Sequence, residues 1–144
     1  MRVVVDASVL IAFVLPDEAE HLNATRFIAV CDLAGHHIIL PALAWPEISG
    51  SVARRRQDPS KAETALLRIS RLPRLKVLPV TDSFALAAAR IAGRHSLRGA
   101  DAVYIQTARA ARASLVTLDS EMHTKAKAIV TAQTPAQWLR ANGL

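Results

Sequence analysis

The stretch VVVDASVLIAF, residues 3–13, decides the class of fold. Its three leading valines predict a buried β-strand, and the apolar run that begins at Val9 predicts a short helix ending near Pro16. Asp6 follows the strand directly, and apart from Ser8 its neighbours are apolar or small. Burying a lone carboxylate is costly unless something compensates its charge. Asp6 is therefore the first candidate functional residue.

Short β-branched runs alternate with longer helical patterns along the rest of the chain. Further strands are predicted at residues 37–40, 75–80 and 114–118, and further helices at about 17–35, 41–57, 59–71, from 81, 100–113 and from 134. This alternation is typical of a parallel α/β sheet. Asp17 and Glu20 resemble a capping box for the second helix, and Pro46 is expected to kink or restart the third. Because no repeat, low-complexity tract or linker interrupts the pattern, residues 1–144 are predicted to form one domain.

The composition is that of a globular protein with a basic surface. Of the 144 residues, 51% are hydrophobic and 21% are charged, which is ordinary for a soluble domain. The net charge of +6 and the pI of about 10.4 favour a polyanionic partner such as RNA or DNA. Aromatic residues make up only 4% of the chain, so stacking platforms for single-stranded nucleic acid are scarce.

Cysteine usage and the N-terminus bear on the cellular compartment. Cys31 is the single cysteine, which excludes an intramolecular disulfide and a cysteine-rich zinc site. Asp6 interrupts the N-terminal apolar run, no signal-peptide cleavage site follows it, and no segment is long enough to cross a bilayer. We therefore expect a cytoplasmic protein with no membrane partner.

Eight of the twelve acidic residues have an ordinary structural explanation. Three lie at predicted helix starts, where a carboxylate accepts free backbone N–H groups, and five lie in polar surroundings, where a solvated face is expected. These residues are Asp17, Asp58 and Asp82, and Glu18, Glu20, Asp32, Glu63 and Glu121.

The other four carboxylates lie where ligands bind. Asp6 and Asp119 follow predicted strands, and open α/β sheets place their ligand crevices at the carboxyl ends of strands. Asp101 shares a helix face with Tyr104, so its side chain is expected to point at the edge of the core. Glu47 is followed one turn later by small residues, which leave room for a ligand.

These four carboxylates together predict a metal site. No lysine or arginine lies within the apolar runs around Asp6, Asp101 or Asp119, and converging carboxylates without cations repel one another, so their pKa values rise. A divalent cation removes this cost, and oxygen-only ligands favour Mg²⁺ or Mn²⁺. In a basic protein, such a site points to phosphodiester hydrolysis, because a metal activates water and stabilises charge on the phosphate.

Four segments, in order, resemble the motifs of the PIN-domain family, and within that family those of VapC-type toxin ribonucleases. They are VVVDASVLIAF, LPALAWPEISGSVARR, LRGADAVYIQTA and LVTLDSEM, which carry Asp6, Glu47, Asp101 and Asp119 respectively. The likeness spans nearly the whole chain. It implies a three-layer α/β/α sandwich around a parallel sheet, and Mg²⁺- or Mn²⁺-dependent endoribonuclease activity with water as the nucleophile.

The resemblance also implies residue roles and partners. The four carboxylates would ligate metal directly or through water, and Ser8 and Thr117 would support them with hydroxyl hydrogen bonds. Such enzymes usually form homodimers, and a separate antitoxin with a DNA-binding end typically blocks the active site. The family often has Asn three residues after the glutamate, where this chain has Gly50, which puts one supporting hydrogen bond in question.

Basic residues near these motifs are candidates for binding RNA phosphates without reading sequence. Arg54 begins a cluster that continues to Arg56 and lies one to two turns after Glu47. Arg90 and Arg94 recur with Arg98 at four-residue intervals on one predicted helix, where a solvated face is the alternative explanation. His123, four residues after Asp119, is a weaker candidate as a ligand or base.

Two other functions are compatible with parts of the pattern. A metal-dependent phosphatase would use Asp6 as a covalent nucleophile, but DASVL lacks the second aspartate two residues later that haloacid-dehalogenase-like chemistry uses. A non-catalytic RNA- or protein-binding relative would have to keep four carboxylates without a metal, which is costly. RNA binding without metal-stimulated cleavage would identify such a module.

Overall fold

Five short parallel strands form the single sheet of the protein, whose computed structural model describes all 144 residues. The strands are β1 (Arg2–Val5), β2 (His37–Pro41), β3 (Leu75–Leu78), β4 (Ser114–Val116) and β5 (Ala132–Gln133). Their spatial order is β3-β2-β1-β4-β5. In the central strand, Val3 pairs with Ile38 on one side and Ser114 on the other. The predicted parallel α/β sheet is therefore confirmed.

Eight helices connect and cover the strands. They are α1 (Ala7–Val14), α2 (His21–Leu33), α3 (Ala44–Arg56), α4 (Pro59–Ser70), α5 (Asp82–His95), α6 (Gly99–Ala111), α7 (Ser120–Ala126) and α8 (Pro135–Ala141). None of the eight helices has the length and apolar character that a membrane-spanning segment requires.

The direction of the chain across the sheet separates the helices into two layers. From β1 to β3 the chain moves one way across the sheet, and from β3 to β5 it moves the other way. Because parallel crossovers are right-handed, α1–α4 cover one face and α5–α7 the other. The contacts agree: α1 packs on α2 and α3, while α5 packs on α6, which contacts β1, β2 and β4. This confirms the three-layer α/β/α sandwich.

The reversal of direction creates a switch point between β1 and β4. The connections leaving the carboxyl ends of these two neighbouring strands run to opposite faces, so a crevice opens between them. The core beneath this crevice excludes solvent, because Val3, Val4 and Val5 are fully buried. The fold therefore places the segments after β1 and β4 side by side at one edge of the sheet.

Several local predictions need correction. Helix α2 begins at His21 without a side-chain cap, and Asp17 forms an ion pair with Arg56 instead of capping the helix. Pro46 neither kinks nor restarts α3, because it is the third residue of a helix that continues to Arg56, and the first turn does not need its N–H. Helix α7 and strand β5 were not predicted, and the strands predicted at 75–80 and 114–118 each end two residues earlier.

Candidate active site

The four predicted carboxylates line one cavity of about 340 Å³ at the switch point. Asp6 comes from the end of β1, Asp119 from the start of α7, Glu47 from the first turn of α3, and Asp101 from the first turn of α6. Other polar residues in the lining are Ser8, Ser51, Arg54, Arg55 and Arg98. The fold thus brings together four side chains that are far apart in the sequence.

Asp6 is buried and held by two hydroxyl groups. The backbone N–H of Asp6 donates to the carbonyl oxygen of Val116 at 2.9 Å, which extends the β1–β4 pairing by one residue. Its Oδ2 accepts hydrogen bonds from Ser8 Oγ and from Thr117 Oγ1, the latter at 2.9 Å. The two hydroxyls are themselves fixed, because Leu118 N–H donates to Ser8 Oγ and Asp119 N–H donates to Thr117 Oγ1, both at 3.0 Å.

Burial dominates the charge state of Asp6. Its pKa is raised from 3.8 to about 6, mainly by loss of hydration and to a smaller extent by the nearby charge of Glu47. The hydrogen bonds from Ser8 and Thr117 oppose the rise because they stabilise the carboxylate. Asp6 is therefore ionised at neutral pH, but at an energetic cost that an additional cation would relieve.

Glu47 lines the same cavity as Asp6 and accepts a hydrogen bond from Tyr104, a residue to which the sequence pattern assigns no role in the site. Tyr104 Oη donates to Glu47 Oε2 at 2.5 Å. Burial raises the pKa of Glu47, the Tyr104 hydrogen bond lowers it in part, and the charge of Asp101 raises it again. The pKa of Tyr104 is itself far above its ordinary value, first because of burial and then because of Asp6 and Glu47. Tyr104 therefore stays protonated and remains a donor.

Arg98 joins the remaining two carboxylates. Its Nε donates to Asp101 Oδ2 at 2.9 Å, and its Nη2 donates to Asp119 Oδ2 at 2.7 Å. Burial and the charge of Asp119 raise the pKa of Asp101, although Arg98 partly offsets them. Burial also acts to raise the pKa of Asp119, but the hydrogen bonds from Met122 N–H and Arg98 outweigh it and leave that pKa below its ordinary value.

This ion pair corrects two expectations from the sequence. The cavity carboxylates do have a cationic partner, because Arg98 lies three residues before Asp101 at the start of α6. Arg98 also does not continue the stripe of Arg90 and Arg94, because α5 ends at His95 and the chain turns before α6 begins. Local spacing could have suggested the Arg98–Asp101 pair, but the contact with Asp119 arises only from the sheet topology.

The other predicted basic residues lie in three different environments. Arg54 lines the carboxylate cavity and makes no ion pair, whereas Arg55 and Arg56 pair with Glu18 and Asp17. Arg90 and Arg94 line a separate cavity of about 290 Å³ between α5 and α6. His123 forms a hydrogen bond of 2.9 Å with Gln137 Oε1 and is absent from the lining of the carboxylate cavity.

The cavity supplies the oxygen ligands that a hard divalent cation prefers, but its side chains are not spaced to hold one. All four carboxylates supply oxygen, and three of them have raised pKa values that a nearby cation would lower. As the side chains stand, however, no three His, Cys, Asp or Glu residues are arranged to hold a metal ion. Two of the four carboxylates, Asp101 and Asp119, are instead bonded to Arg98.

The fold and the cavity define an α/β protein with a carboxylate site at the switch point of its sheet. The sequence of residues 3–128 matches the family model of the PIN domain, so the chain belongs to the PIN-domain family. No curated protein sequence matches this chain.

Solved structures with the same fold come from bacteria and archaea. VapC20 of Mycobacterium tuberculosis, described as a sarcin–ricin loop cleaving toxin, has a TM-score of 0.72 and 20% identity over 85% of this chain and 93% of its own. PAE2754 of Pyrobaculum aerophilum has a TM-score of 0.71 and 21% identity over 100% of this chain and 91% of its own. A toxin–antitoxin complex from Klebsiella pneumoniae contains a chain with a TM-score of 0.66 and 16% identity, over 92% of this chain and 97% of its own. These similarities support the fold.

Proposed function

We propose that the protein is a Mg²⁺- or Mn²⁺-dependent endoribonuclease that acts as the toxin of a toxin–antitoxin pair. The observation that carries this proposal is the convergence of Asp6, Glu47, Asp101 and Asp119 on one cavity in a PIN-domain chain. The net charge of +6 suits an RNA substrate. The similarity to VapC20, a sarcin–ricin loop cleaving toxin, supports RNA as the first substrate to test.

The cavity residues have separable roles in this proposal. Asp6, Glu47, Asp101 and Asp119 would hold the cation, which when bound supplies Lewis acidity for attack of water on the phosphodiester. Ser8 and Thr117 orient the Asp6 carboxylate, and Tyr104 orients that of Glu47. Arg54 is free of acidic partners at the rim of the cavity and binds a phosphate of the RNA strand.

The partners proposed for this chain follow the same resemblance. A separate antitoxin blocks the cavity, and the similarity to the Klebsiella pneumoniae toxin–antitoxin complex supports this part of the proposal. We further propose that the toxin is a homodimer in the cytoplasm. Light scattering of the purified protein tests the dimer directly. Co-purification with the product of a short neighbouring gene tests the antitoxin.

A non-catalytic RNA-binding relative is the second candidate, and Arg98 is the observation that favours it. Because Arg98 neutralises part of the charge on Asp101 and Asp119, a protein could keep these carboxylates at lower cost without a metal. The phosphatase alternative has no such support.

Cleavage of total cellular RNA by the purified protein distinguishes the two candidates. The assay compares Mg²⁺, Mn²⁺ and EDTA for the wild type, for Asp6→Asn, and for Asp82→Asn as a matched change of an exposed carboxylate outside the cavity. An endoribonuclease makes metal-dependent cuts at few sites that Asp6→Asn loses and Asp82→Asn keeps. Binding of RNA with no cuts under any metal would support the non-catalytic module, and cuts that persist in Asp6→Asn would indicate a contaminating nuclease.

A further inference from the structure

Arg98 is the only lysine or arginine that forms an ion pair with a carboxylate of the cavity. Its guanidinium uses two different nitrogens to bind Asp101 and Asp119, and so it links the first turn of α6 to the N-cap of α7. These are two separate acidic side chains that the proposed function assigns to the cation. The same oxygen atoms therefore have two possible cationic partners.

The charges show why the two partners compete. In the present arrangement, one positive charge is shared between two carboxylates, and Asp6 and Glu47 have no cationic partner. A divalent cation among the four carboxylates would neutralise more of this charge, but it would repel a guanidinium held on the same oxygens. Both cations could not keep Asp101 and Asp119 at close range without this repulsion.

The guanidinium of Arg98 can move away from Asp101 and Asp119. Its side chain is 57% exposed, whereas that of Asp101 is 10% exposed. Arg98 precedes α6 in the short connection from α5, and its side chain makes no hydrogen bond other than those to the two aspartates. A long exposed side chain of this kind can turn into solvent at little cost. The aspartates are fixed by their helices, so the guanidinium is the mobile partner.

We propose that Arg98 is a built-in counter-cation that holds Asp101 and Asp119 in the metal-free protein and is displaced when Mg²⁺ or Mn²⁺ binds. This inference rests on the proposed metal-dependent function. Arg98 is in this role a positioning residue: it lowers the repulsion among the carboxylates and raises the cation concentration at which the metal binds. Removing it should strengthen metal binding and weaken the metal-free fold.

Calorimetric titration with Mn²⁺ measures the competition without any assay of cleavage. We expect Arg98→Gln to bind Mn²⁺ about tenfold more tightly than the wild type, because the competing charge is gone. Arg98→Lys keeps the charge but not the two-nitrogen fork. Its Mn²⁺ affinity should therefore lie between those of the wild type and Arg98→Gln. Arg55→Gln is the matched control, since it removes a positive charge from the cavity lining that is paired with Glu18 instead. Its affinity should change by no more than about twofold from general electrostatics.

Two further measurements separate this inference from the proposed function. In EDTA, Arg98→Gln should unfold at a lower temperature than the wild type, and saturating Mn²⁺ should remove most of this difference, because Arg98 no longer contacts the aspartates when the metal is bound. In the wild type, the nitrogen-15 resonance of Arg98 Nε–H should move toward the position of a solvated arginine as diamagnetic Mg²⁺ is added.

The possible results have distinct meanings. If the wild type binds Mn²⁺ and Asp6→Asn does not, but Arg98→Gln binds with unchanged or weaker affinity, the role of Arg98 is overturned and the metal site stands. If neither the wild type nor Arg98→Gln binds Mn²⁺, both the metal site and the competition are overturned. If the Arg98 resonance is unmoved at saturating Mg²⁺, displacement is overturned even where binding is strong.

Discussion

Asp6 shows how a single residue can be both well bonded and destabilising. Ser8 and Thr117 donate to its carboxylate, yet burial still raises its pKa to about 6. The hydroxyl groups fix the direction of the carboxylate but bring no positive charge. The surroundings of Asp6 therefore fix the orientation of its carboxylate but do not neutralise its negative charge.

We therefore expect Asp6→Asn to stabilise the metal-free protein at neutral pH. The native pKa of about 6 lies above the ordinary value of 3.8, so the native state binds more protons than the unfolded state between these values, and stability falls as pH rises. The ionised form costs up to about 3 kcal/mol above pH 6, and asparagine avoids this cost while still accepting both hydroxyl bonds. Urea unfolding in EDTA should show the variant more stable at pH 7.5, with the difference shrinking toward pH 4. A wild type more stable than Asp6→Asn at pH 7.5 would contradict this assignment.

Tyr104→Phe tests the support of Glu47. The change removes the donor that lies 2.5 Å from Glu47 Oε2, so the pKa of Glu47 should rise and the acid limb of the cleavage rate should move to higher pH. The lost hydrogen bond to a charged group should also cost about 1–3 kcal/mol of unfolding free energy.

Thr107→Val is the matched control for this change. It removes a buried hydroxyl from the same helix, one that donates to the Val103 carbonyl at 2.7 Å and does not touch Glu47. Its pH profile should stay where the wild type has it. A Tyr104→Phe profile that also stays in place would mean that Glu47 does not control the rate.

Among the elements, those with a long apolar pattern or with a capping residue followed by proline were predictable. Asp58 with Pro59 and Thr134 with Pro135 begin α4 and α8 as their sequences indicate. Strand β5 has only two residues and helix α7 only seven, too few for a periodicity to be recognised. Strand β5 is stabilised by pairing with β4, and helix α7 by packing against β5 at the edge of the sheet. These contacts compensate for the weak local preference of both segments.

The candidate site, like the helices and strands, was predictable only where the sequence signal is local. Each carboxylate could be found from its position after a strand or on an inward helix face, because those signals are local. Arg98 and Tyr104 could not be assigned, since their partners Asp119 and Glu47 lie 21 and 57 residues away. Contacts of that range depend on strand order, which the sequence of one chain does not specify.

Gly50 and Gly93 offer a comparison between two helices. Alanine is favoured over glycine inside a helix by about 1 kcal/mol, and a Cβ at Gly93 would meet nothing within 4 Å. At Gly50 the new Cβ would lie 3.1 Å from Arg54 Nη1, the mobile end of an exposed side chain. We expect Gly93→Ala to gain the full amount in urea unfolding and Gly50→Ala to gain less, the difference being the cost of moving Arg54. A loss of stability in Gly50→Ala would show that Arg54 is held in place.

For the molecule as a whole, four arginines that line two separate cavities form no ion pair. Arg54 lies at the rim of the carboxylate cavity without a partner. On the opposite layer, Arg90, Arg94 and Arg109 line the cavity between α5 and α6, which contains no acidic residue, and none of the three forms an ion pair. Unpaired guanidinium groups at one cavity are suited to phosphate groups.

These two regions predict different contributions to RNA binding, which can be measured on the Asp6→Asn background because we expect that variant not to cleave RNA. Each phosphate contact to a single strand contributes about 0.7 to the slope of log affinity against log salt concentration. Arg54→Ala should lower the affinity and reduce this slope by about one contact. If the RNA strand contacts the α5–α6 layer, the double change Arg94→Ala with Arg109→Ala should lower the affinity and reduce the slope by up to about two contacts.

The control removes two exposed arginines elsewhere, Arg26 and Arg71, and so lowers the net charge by the same amount as the double variant. If this control reduces the slope as much as the α5–α6 variant does, the effect comes from overall charge and not from a binding surface. If only Arg54→Ala changes the slope, the RNA contacts the rim of the carboxylate cavity and leaves the second arginine group free. A slope unchanged in all three variants would place the strand on a different face of the protein.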